Sequence, residues 1–416
     1  MENKFENTGI DGFFIKRLEE RGIKEPTDIQ CKIIPRLTSC ENIFFASATG
    51  TGKTFAYLLP VLTKLLNKKT SNETLPVFLI IAPTLELCTQ IKSELDFLLN
   101  GTDLKSALLI GSVNIERQTE NLKKVKPEII VGNPGRLLTL AKKSILKLSP
   151  QFLVLDEADR MVSDEMLDDI SDLCGIIKRN VKKAGINLTI AACSATMNKK
   201  NREKLLQAVM PKENSGIQYI ESEANEILRE KIEHWAIFSE KRRKDQTLRS
   251  LLAAIKTAGS KKKKTGSRVL IFTSKNDEAA FTLGRLQHHH VPCAGLFAKA
   301  GKKPISGEHR RESLESFRNG GIEALISTDL AARGLDIPGI THVISLDVPS
   351  DSEVYIHRCG RTARAGKRGV MVTIGDETQM RLLAALEKKL KLKIYPKELH
   401  YGKITSPLPP EDENED

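Results

Sequence analysis

The stretch that decides the fold is NIFFASATGTGKTFAYLLPVLTKLL, residues 42–66. The apolar run NIFFA is typical of a buried strand, and the longer apolar run that begins at Phe55 is typical of a helix. Between them lie Gly50 and Gly52, which allow a tight loop because glycine has no Cβ atom. The order strand, glycine-rich loop, helix predicts one unit of an α/β fold with a doubly wound sheet.

Similar short apolar runs alternate with helical patterns along the rest of the chain. The runs are apolar on both faces, as is typical of parallel strands that helices cover on two sides. Candidate strands in a first zone are residues 42–47, 77–84, 106–111, 128–133, 152–158 and 188–196, and in a second zone residues 268–274, 323–329, 341–347 and 369–375. The alternation predicts two tandem doubly wound parallel-sheet domains.

Composition shifts along the chain indicate where the domains begin and end. We expect a first domain over residues 1–213 and a second over residues 229–400, joined by a short linker over residues 214–228. Pro, Asn, Ser and Gly occur together just before and within this linker. The segment 401–416 ends in the Pro-led acidic sequence PPEDENED, so we expect a disordered tail there.

The charge of the chain favours a polyanion as partner. Its 416 residues include 65 Lys and Arg against 53 Asp and Glu, which gives a net charge of +12. A solvated basic surface would explain the same excess. Aromatic residues make up only 5% of the chain, so we expect a nucleic acid to be held by its backbone rather than by base stacking.

Other features of the composition point to a cytoplasmic protein. No run of about 18 apolar residues predicts a membrane span. The N-terminal residues lack the pattern of a secretory signal, and the seven cysteines form no CxxC pair. We expect a monomer in the reducing environment of the cytoplasm.

The glycine-rich loop has the features of a phosphate-binding loop. Its backbone N–H groups can surround phosphate oxygens, Lys53 can reach the β and γ phosphates, and Thr54 can offer its hydroxyl to Mg²⁺. The general pattern begins with glycine, whereas this chain has Ser47 at that position. We predict a nucleoside triphosphate site over Ser47, Ala48, Thr49, Gly50, Thr51, Gly52, Lys53 and Thr54.

A second stretch, FLVLDEADRM at residues 152–161, ends a strand-like run with three carboxylates in four positions. Asp156 can hold hydrated Mg²⁺ together with Thr54, and Glu157 can orient a water molecule for attack on the γ phosphate. A solvated acidic turn that binds nothing is the alternative.

Asp159 needs a different partner, because it lies at the far end of the same turn. The segment CSATM, residues 193–197, ends another strand candidate with the hydroxyls of Ser194 and Thr196. We predict that these groups relay hydrogen bonds between the acidic turn and a neighbouring element.

The second zone contains a cluster of arginines in YIHRCGRTARAGKRG, residues 355–369. Arg361 and Arg364 are three positions apart, so they share one face if the segment is helical. Guanidinium groups stabilise charge on a transferring phosphoryl group. We predict that both arginines act across a cleft on a nucleotide held by the first domain. A basic patch on a surface helix is the alternative.

The motifs and their order resemble those of the DEAD-box ATP-dependent RNA helicases of helicase superfamily 2, from about Phe5 to near residue 400. The matching segments are GIKEPTDIQ (22–30), SATGTGKT (47–54), DEAD (156–159), SAT (194–196), VLIFTSK (269–275), STDLAARGLD (327–336) and HRCGRTARAG (357–366). The resemblance implies two RecA-like domains and the cofactors ATP and Mg²⁺. It also implies ATP hydrolysis that opens short RNA duplexes or remodels RNA–protein complexes as the domains close.

The resemblance implies further site residues. Gln30 would read the adenine edge with support from Phe5 and Thr27, and Asp336 would bind the ribose. Asp159 and His357 would couple the domains, together with the hydroxyl residues of the SAT segment. Contacts to RNA sugar and phosphate, including the 2′-hydroxyls, would come from Pro83, Thr84, Gly111, Pro134, Gly135, Arg136 and Thr328.

The chain departs from the family pattern mainly where RNA would bind. Leu85 stands where the family usually has Arg, Ser112 where it has Gly, and Asn133 where it has Thr. Ile23 replaces a common aromatic residue, and Ser47 replaces a usual Ala. We therefore predict weaker RNA affinity or weaker stimulation by RNA than is typical. A nucleotide-gated RNA clamp with little strand separation and a DNA translocase are the alternative functions.

Overall fold

The computed structural model describes residues 4–47, 50–67, 77–195, 199–210, 216–221, 230–260, 267–297, 299–300, 303–304, 307–332, 337, 339–349, 351–363 and 367–407. The chain divides into two compact units, with the boundary between Ala224 and Asn225. Each unit contains one seven-stranded sheet.

The first unit has seven strands and eight α-helices among its described residues. The strands are β1 (Ile43–Ala46), β2 (Phe78–Ile81), β3 (Ser106–Leu109), β4 (Ile129–Gly132), β5 (Phe152–Asp156), β6 (Thr189–Ser194) and β7 (Gln218–Glu221). The helices are α1 (Gly12–Glu20), α2 (Asp28–Thr38), α3 (Lys53–Asn67), α4 (Leu85–Leu99), α5 (Ile115–Val125), α6 (Pro134–Lys142), α7 (Asp164–Ala184) and α8 (Lys199–Val209). All strand pairs are parallel, in the order β3-β4-β2-β5-β6-β1-β7.

The second unit repeats this architecture. Its strands are β8 (Ile232–Phe238), β9 (Val269–Thr273), β10 (Cys293–Leu296), β11 (Lys299–Ala300), β12 (Lys303–Pro304), β13 (Ala324–Thr328), β14 (His342–Ser345), β15 (Gly369–Gly375), β16 (Ile394–Pro396), β17 (Glu398–His400) and β18 (Lys403–Thr405). Its helices are α9 (Lys244–Ser260), α10 (Asn276–His288), α11 (Gly307–Arg318), α12 (Asp329–Ala332), α13 (Ser352–Cys359) and α14 (Glu377–Leu390). The main sheet is parallel, in the order β10-β13-β9-β14-β15-β8-β16.

Strand residues alternate between two hydrophobic cores, one on each face of the sheet. In β1, Phe45 lies in the core that contains helices α1 to α4, whereas Phe44 lies in the core on the other face. In β9, Phe272 and Ile271 divide in the same way between the two cores of the second unit. Because both faces are covered, the strands show continuous apolar runs, and the predicted pair of doubly wound parallel sheets is confirmed.

The structure corrects two boundaries that we expected from composition. Strand β7 lies inside the predicted linker 214–228 and pairs with β1 as the edge of the first sheet. Strand β18 lies inside the predicted disordered tail 401–416 and forms an antiparallel hairpin with β17. Within the described ranges, no helix combines the length and the apolarity needed to span a membrane.

Candidate functional site

Most predicted nucleotide-binding residues of the first unit converge at one edge of its sheet. Strands β5, β6 and β1 are neighbours, and parallel strands present their carboxyl ends at the same edge. The phosphate loop follows β1, the acidic turn follows β5, and Ser194 ends β6. The strand order thus gathers segments that lie more than 100 residues apart in the sequence.

The phosphate loop is folded tightly. Gly50 and Gly52 have φ angles of +80° and +86°, a region that favours glycine because it lacks a Cβ atom. The Lys53 Nζ atom donates a hydrogen bond of 2.6 Å to the carbonyl oxygen of Ser47. The buried hydroxyls of Ser47 and Thr51 lie 2.9 Å apart and join the two sides of the loop. The serine that replaces the usual first residue therefore stabilises the loop from within.

The residues predicted to read adenine hold the phosphate loop by its backbone. The Gln30 amide accepts a 2.9 Å hydrogen bond from Thr27 N and donates one of 3.1 Å to Gly52 O. The Thr27 hydroxyl donates a 2.7 Å hydrogen bond to Thr51 O. The φ angle of Gly52 would strain any residue with a Cβ atom, and that atom would lie 2.4 Å from Gln30 Nε2 and displace the amide. Phe5 is buried in the core beside helix α2, which carries this glutamine.

The Asp156 carboxylate is held by hydrogen bonds on both oxygens. Tyr57 donates from its buried hydroxyl to Oδ2 at 2.7 Å, and Cys193 Sγ and Glu157 N lie 3.0 Å and 2.9 Å from Oδ1. The Tyr57 hydroxyl also hydrogen-bonds with Thr54. The two predicted metal-binding residues, Asp156 and Thr54, are therefore both hydrogen-bonded to the Tyr57 hydroxyl. These oxygen atoms suit Mg²⁺, which prefers oxygen ligands and retains several waters.

Burial makes this edge favourable for a bound polyanion with its metal ion. It lowers the pKa of the Lys53 ammonium, although nearby acidic groups such as Asp156 act in the opposite direction. It also raises the pKa of the Asp156 carboxyl, against hydrogen bonds from Cys193 and Tyr57 that lower it. Both charges are poorly solvated, so phosphate beside the lysine and a cation beside the carboxylate would stabilise them.

The acidic turn brings Glu157 and Asp159 to the same edge. Glu157 has a φ angle of +52°, and its carboxylate forms a 2.8 Å ion pair with Arg160. The short turn that carries Asp159 packs against β6, whose last residue is Ser194. The Ser194 carbonyl accepts a 3.1 Å hydrogen bond from Ser47 N, which ties this strand to the phosphate loop.

The predicted RNA-binding residues of the first unit lie along the other half of the same edge, where β3, β4 and β2 are neighbours. Arg136 donates a 2.8 Å hydrogen bond to Gly111 O and contacts Gln118 Oε1 at 3.3 Å. Gln118 is buried and donates a 3.0 Å hydrogen bond to Ile110 O. The predicted pair Arg136 and Gly111 is therefore in direct contact, positioned by a glutamine that the sequence did not single out.

Two helices begin at this half of the edge. Thr84, which follows Pro83, caps α4 by accepting a 3.2 Å hydrogen bond from the N–H three residues further on. Pro134 and Gly135 are the first two residues of α6. Leu85 begins α4 and is 41% exposed. Two helix N-termini at one edge provide N–H groups that favour phosphate.

In the second unit, Arg358 links the carboxyl ends of two strands. It is 1% exposed and donates two 2.7 Å hydrogen bonds to the Asp329 carboxylate, just after β13. A third bond, also of 2.7 Å, reaches Asp347 after β14, and the guanidinium lies 5.4 Å from the ring centre of Phe272 in β9. These contacts fix α13, which carries Arg358, at the edge of the sheet.

Arg361 lies two residues after the end of α13 and is 6% exposed. The helix ends at Cys359, before Arg361, and Ala363 has a φ angle of +55°, so Arg361 does not lie on a helix. A left-handed residue between the two arginines breaks helical spacing. Arg364 lies outside the described residues, so the predicted shared face of the two arginines stays a prediction.

A small pocket of the second unit is lined by His357, Arg361 and Asp329, among others. Thr328 ends β13 immediately before Asp329 and is buried. The predicted coupling residue, arginine finger and RNA contact of this unit therefore lie near one another. The predicted site residues Ala48, Thr49, Thr196, Asp336 and Arg364 lie outside the described residues.

Several residues that shape the site were missed from the sequence. They are Tyr57, Cys193, Gln118, Arg160 and Arg358 in its structural role. Only two had a local signal: Arg160 lies three residues after Glu157 with opposite charge, and Arg358 lies in the arginine cluster. The other three contact residues between 8 and 99 positions away, so only the fold reveals them.

Sequence comparisons relate the chain to known helicases. A family model described as DEAD/DEAH box helicase matches residues 27–205, and one described as helicase conserved C-terminal domain matches residues 243–366. The chain is 33% identical over 398 residues to the DEAD-box ATP-dependent RNA helicase CshC of Bacillus cereus, covering 95% of this chain and 94% of that protein. It is 32% identical over 394 residues to the ATP-dependent RNA helicase CshA of Listeria monocytogenes, covering 94% and 70%.

The fold also has solved relatives. Mss116p with its NTE and C-tail deleted, bound to ssRNA and AMP-PNP, is similar with a TM-score of 0.82 and 26% sequence identity. The similarity covers 95% of this chain and 78% of that one. The order of the motifs, the two parallel sheets and these similarities lead to one conclusion: the chain belongs to the DEAD-box ATP-dependent RNA helicases.

Proposed function

We propose that this protein is an RNA-dependent ATPase that opens short RNA duplexes or remodels RNA–protein complexes. The observation that carries the proposal is the division of one sheet edge into two halves. Strands β5, β6 and β1 present Lys53, Asp156 and Glu157, while β3, β4 and β2 present the RNA segments. Nucleotide and RNA would then bind side by side on one rigid sheet. We expect the protein to act as a monomer in the cytoplasm.

In this proposal the chain positions the triphosphate and the attacking water. Lys53 and the loop N–H groups would bind the phosphates, and Glu157 would orient the water for in-line attack. Thr54 and Asp156 would hold Mg²⁺, which neutralises phosphate charge when bound. Arg361 and Arg364 would reach the γ phosphate from the second domain when the domains close, and Asp336 would bind the ribose.

RNA would bind through its sugar–phosphate backbone. The N-termini of α4 and α6 provide N–H groups, and Arg136 adds a positive charge beside Gly111. Thr328 would contribute from the second domain. Such contacts do not read base sequence, so target choice would depend on partners such as ribonucleoprotein components.

A nucleotide-gated RNA clamp with little strand separation is the second candidate. It is favoured by the exposed Leu85 side chain and by Asn133, whose buried Oδ1 atom has no hydrogen-bond partner among the described residues. Both lie at the RNA half of the edge.

The proposed function is tested by ATPase assays with RNA and with DNA, followed by strand separation on a short duplex. We expect stimulation by RNA well above that by DNA, and ATP-dependent release of one strand. RNA stimulation without strand release would support the clamp, and equal stimulation by DNA would contradict the RNA-specific proposal.

Substitution of Tyr57 tests how Asp156 is held. Tyr57→Phe removes the hydroxyl that binds Oδ2 and contacts Thr54, so the carboxylate is held through Oδ1 alone. We expect the gain in ADP affinity caused by Mg²⁺ to fall about tenfold, the effect of losing a hydrogen bond to a charged group. Affinity measured in EDTA should stay the same. Cys193→Ser, which retains a donor to Oδ1, should behave like the native protein. An unchanged Mg²⁺ effect in Tyr57→Phe would contradict this role.

Substitution of Leu85 tests the predicted weak RNA grip. Leu85→Arg places a cation at the N-terminal end of α4, and we expect the RNA concentration for half-maximal ATPase to fall about three- to tenfold. Leu382→Arg is the matched control, because Leu382 is 47% exposed on a helix of the second unit. If both variants shift the RNA response equally, or neither does, position 85 does not limit RNA affinity.

A further inference from the structure

An aromatic surface with lysines lies at the outer edge of the second sheet. Strand β16 pairs in parallel with β8, and Tyr395 lies directly opposite Trp235. Residues opposite each other in neighbouring strands project to the same face of a sheet. Lys393 Nζ lies 5.3 Å from the ring centre of Tyr395, and Lys397 Nζ lies 5.7 Å from that of Trp235. We call these four residues the Trp235–Tyr395 platform.

The platform is accessible and carries charge that is not neutralised. Tyr395 is 42% exposed and Trp235 is half-buried. The indole N–H of Trp235 donates to Glu233 at 3.2 Å, and its ring packs partly against the core and lies 6.4 Å from the His342 ring, so Tyr395 is the more accessible of the two rings. Residues 388–403 contain six lysines and one glutamate, and no ion pair of those lysines occurs in the described part of the chain.

The positive charge of the second unit favours a polyanion as the ligand of the platform. The second unit contains 34 Lys and Arg against 25 Asp and Glu, whereas the first contains 31 against 28. Lysines beside accessible aromatic rings are the combination that binds single-stranded nucleic acid, because phosphates meet the ammonium groups while bases stack on the rings.

We propose that the Trp235–Tyr395 platform is an accessory site for single-stranded RNA. It lies five strands away from β13, which ends at Thr328, so the two sites are separated by about 24 Å at the usual strand spacing. An RNA strand bound at the main site would need additional nucleotides to reach the platform. The platform would thus bind long RNA without taking part in ATP hydrolysis. The proposal rests on the proposed function only in taking RNA as the ligand.

The test compares RNA of about 10 and about 30 nucleotides, lengths below and above the range of typical single-strand sites. Lys393→Gln/Tyr395→Ala removes one cation and one ring from exposed positions. We expect affinity for the longer RNA to fall about tenfold, as for loss of one stacked base. The slope of log affinity against log salt should fall by about 0.7, the value for one phosphate contact in a single strand.

Two controls separate this site from the main one. Tyr401→Ala/Lys403→Gln removes the same two residue types from the β17–β18 hairpin and should leave long-RNA affinity within about twofold of native, a difference below about 0.4 kcal/mol. ATPase stimulated by the short RNA should remain native in every variant. Tyr395→Phe should retain binding, because the ring is kept.

Unchanged long-RNA affinity and salt slope in Lys393→Gln/Tyr395→Ala would overturn the proposal, and a surface for an acidic protein would give that result. Equal losses for both RNA lengths would also overturn it, because the main site would then be affected. Failure of short RNA to stimulate the native ATPase would instead count against the proposed function.

Discussion

Glu157→Gln is expected to lower ATP turnover by about a hundredfold or more, the effect of removing a group that orients the attacking water. The substitution keeps the size of the side chain and its left-handed backbone position at φ +52°. The amide can also still contact Arg160, although the ion pair is lost. Binding of ATP and RNA should therefore persist, and the variant should accumulate in the closed state with both ligands bound. Single-turnover hydrolysis and nucleotide affinity, measured on the same preparation, check this result.

Two further variants serve as controls for the Glu157 experiment. Glu20→Gln makes the same change at a side chain that is 55% exposed on α1, and it should turn over ATP normally. Lys53→Ala should lose both turnover and ATP affinity, because it removes the ammonium of the phosphate loop. Normal turnover in Glu157→Gln would show that another group orients the water.

Arg361→Lys is expected to lower RNA-stimulated turnover by about a thousandfold, the lower range for loss of an arginine finger. Lysine keeps the charge but lacks the planar guanidinium that can contact two phosphate oxygens. Nucleotide affinity in the absence of RNA should change little, since the first unit holds the phosphate loop. The diagnostic result is therefore a large fall in maximal RNA-stimulated turnover while ATP affinity changes little.

Arg368→Lys is the matched control for Arg361. It makes the same change at an exposed residue seven positions further on. We expect native turnover for Arg368→Lys. Equal losses in the two variants would indicate a general effect of positive charge in this segment, and native turnover in Arg361→Lys would remove it from the proposed reaction.

The sequence predicted the architecture because buried parallel strands have a strong pattern. Each of the ten runs apolar on both faces contains a strand of one of the two main sheets. Four strands of those sheets were missed, and three are edge strands that need little apolar surface: β7, β10 and β16. The fourth, β8, has His234 and Trp235 within its apolar run, which obscured the pattern.

The site was predictable where one short motif contains the chemistry. The phosphate loop and the acidic turn each show the required residue types in sequence, and the sheet places them together. The contacts that hold Asp156 were not predictable, since Tyr57 lies 99 positions away and Cys193 lies 37 positions away. The low aromatic content likewise argued against base stacking, yet composition cannot show that Trp235 and Tyr395 lie side by side.

Arg358 shows why a motif does not assign roles by itself. Within the arginine cluster, no sequence feature distinguishes it from Arg361. In the structure the Arg358 guanidinium donates hydrogen bonds to Asp329 and Asp347, so it acts as a positioning residue for α13. The two ion pairs of Arg358 therefore identify its structural role, whereas burial does not distinguish it from Arg361, which is also buried.

The central claim is that one triphosphate is shared by the phosphate loop of the first domain and the arginines of the second. A crystal structure of the protein with RNA and a non-hydrolysable ATP analogue tests it most directly. We predict that the guanidinium groups of Arg361 and Arg364 contact the γ phosphate, with Lys53 on the opposite side. Both guanidinium groups pointing away from that phosphate in the ligand-bound state would contradict the claim.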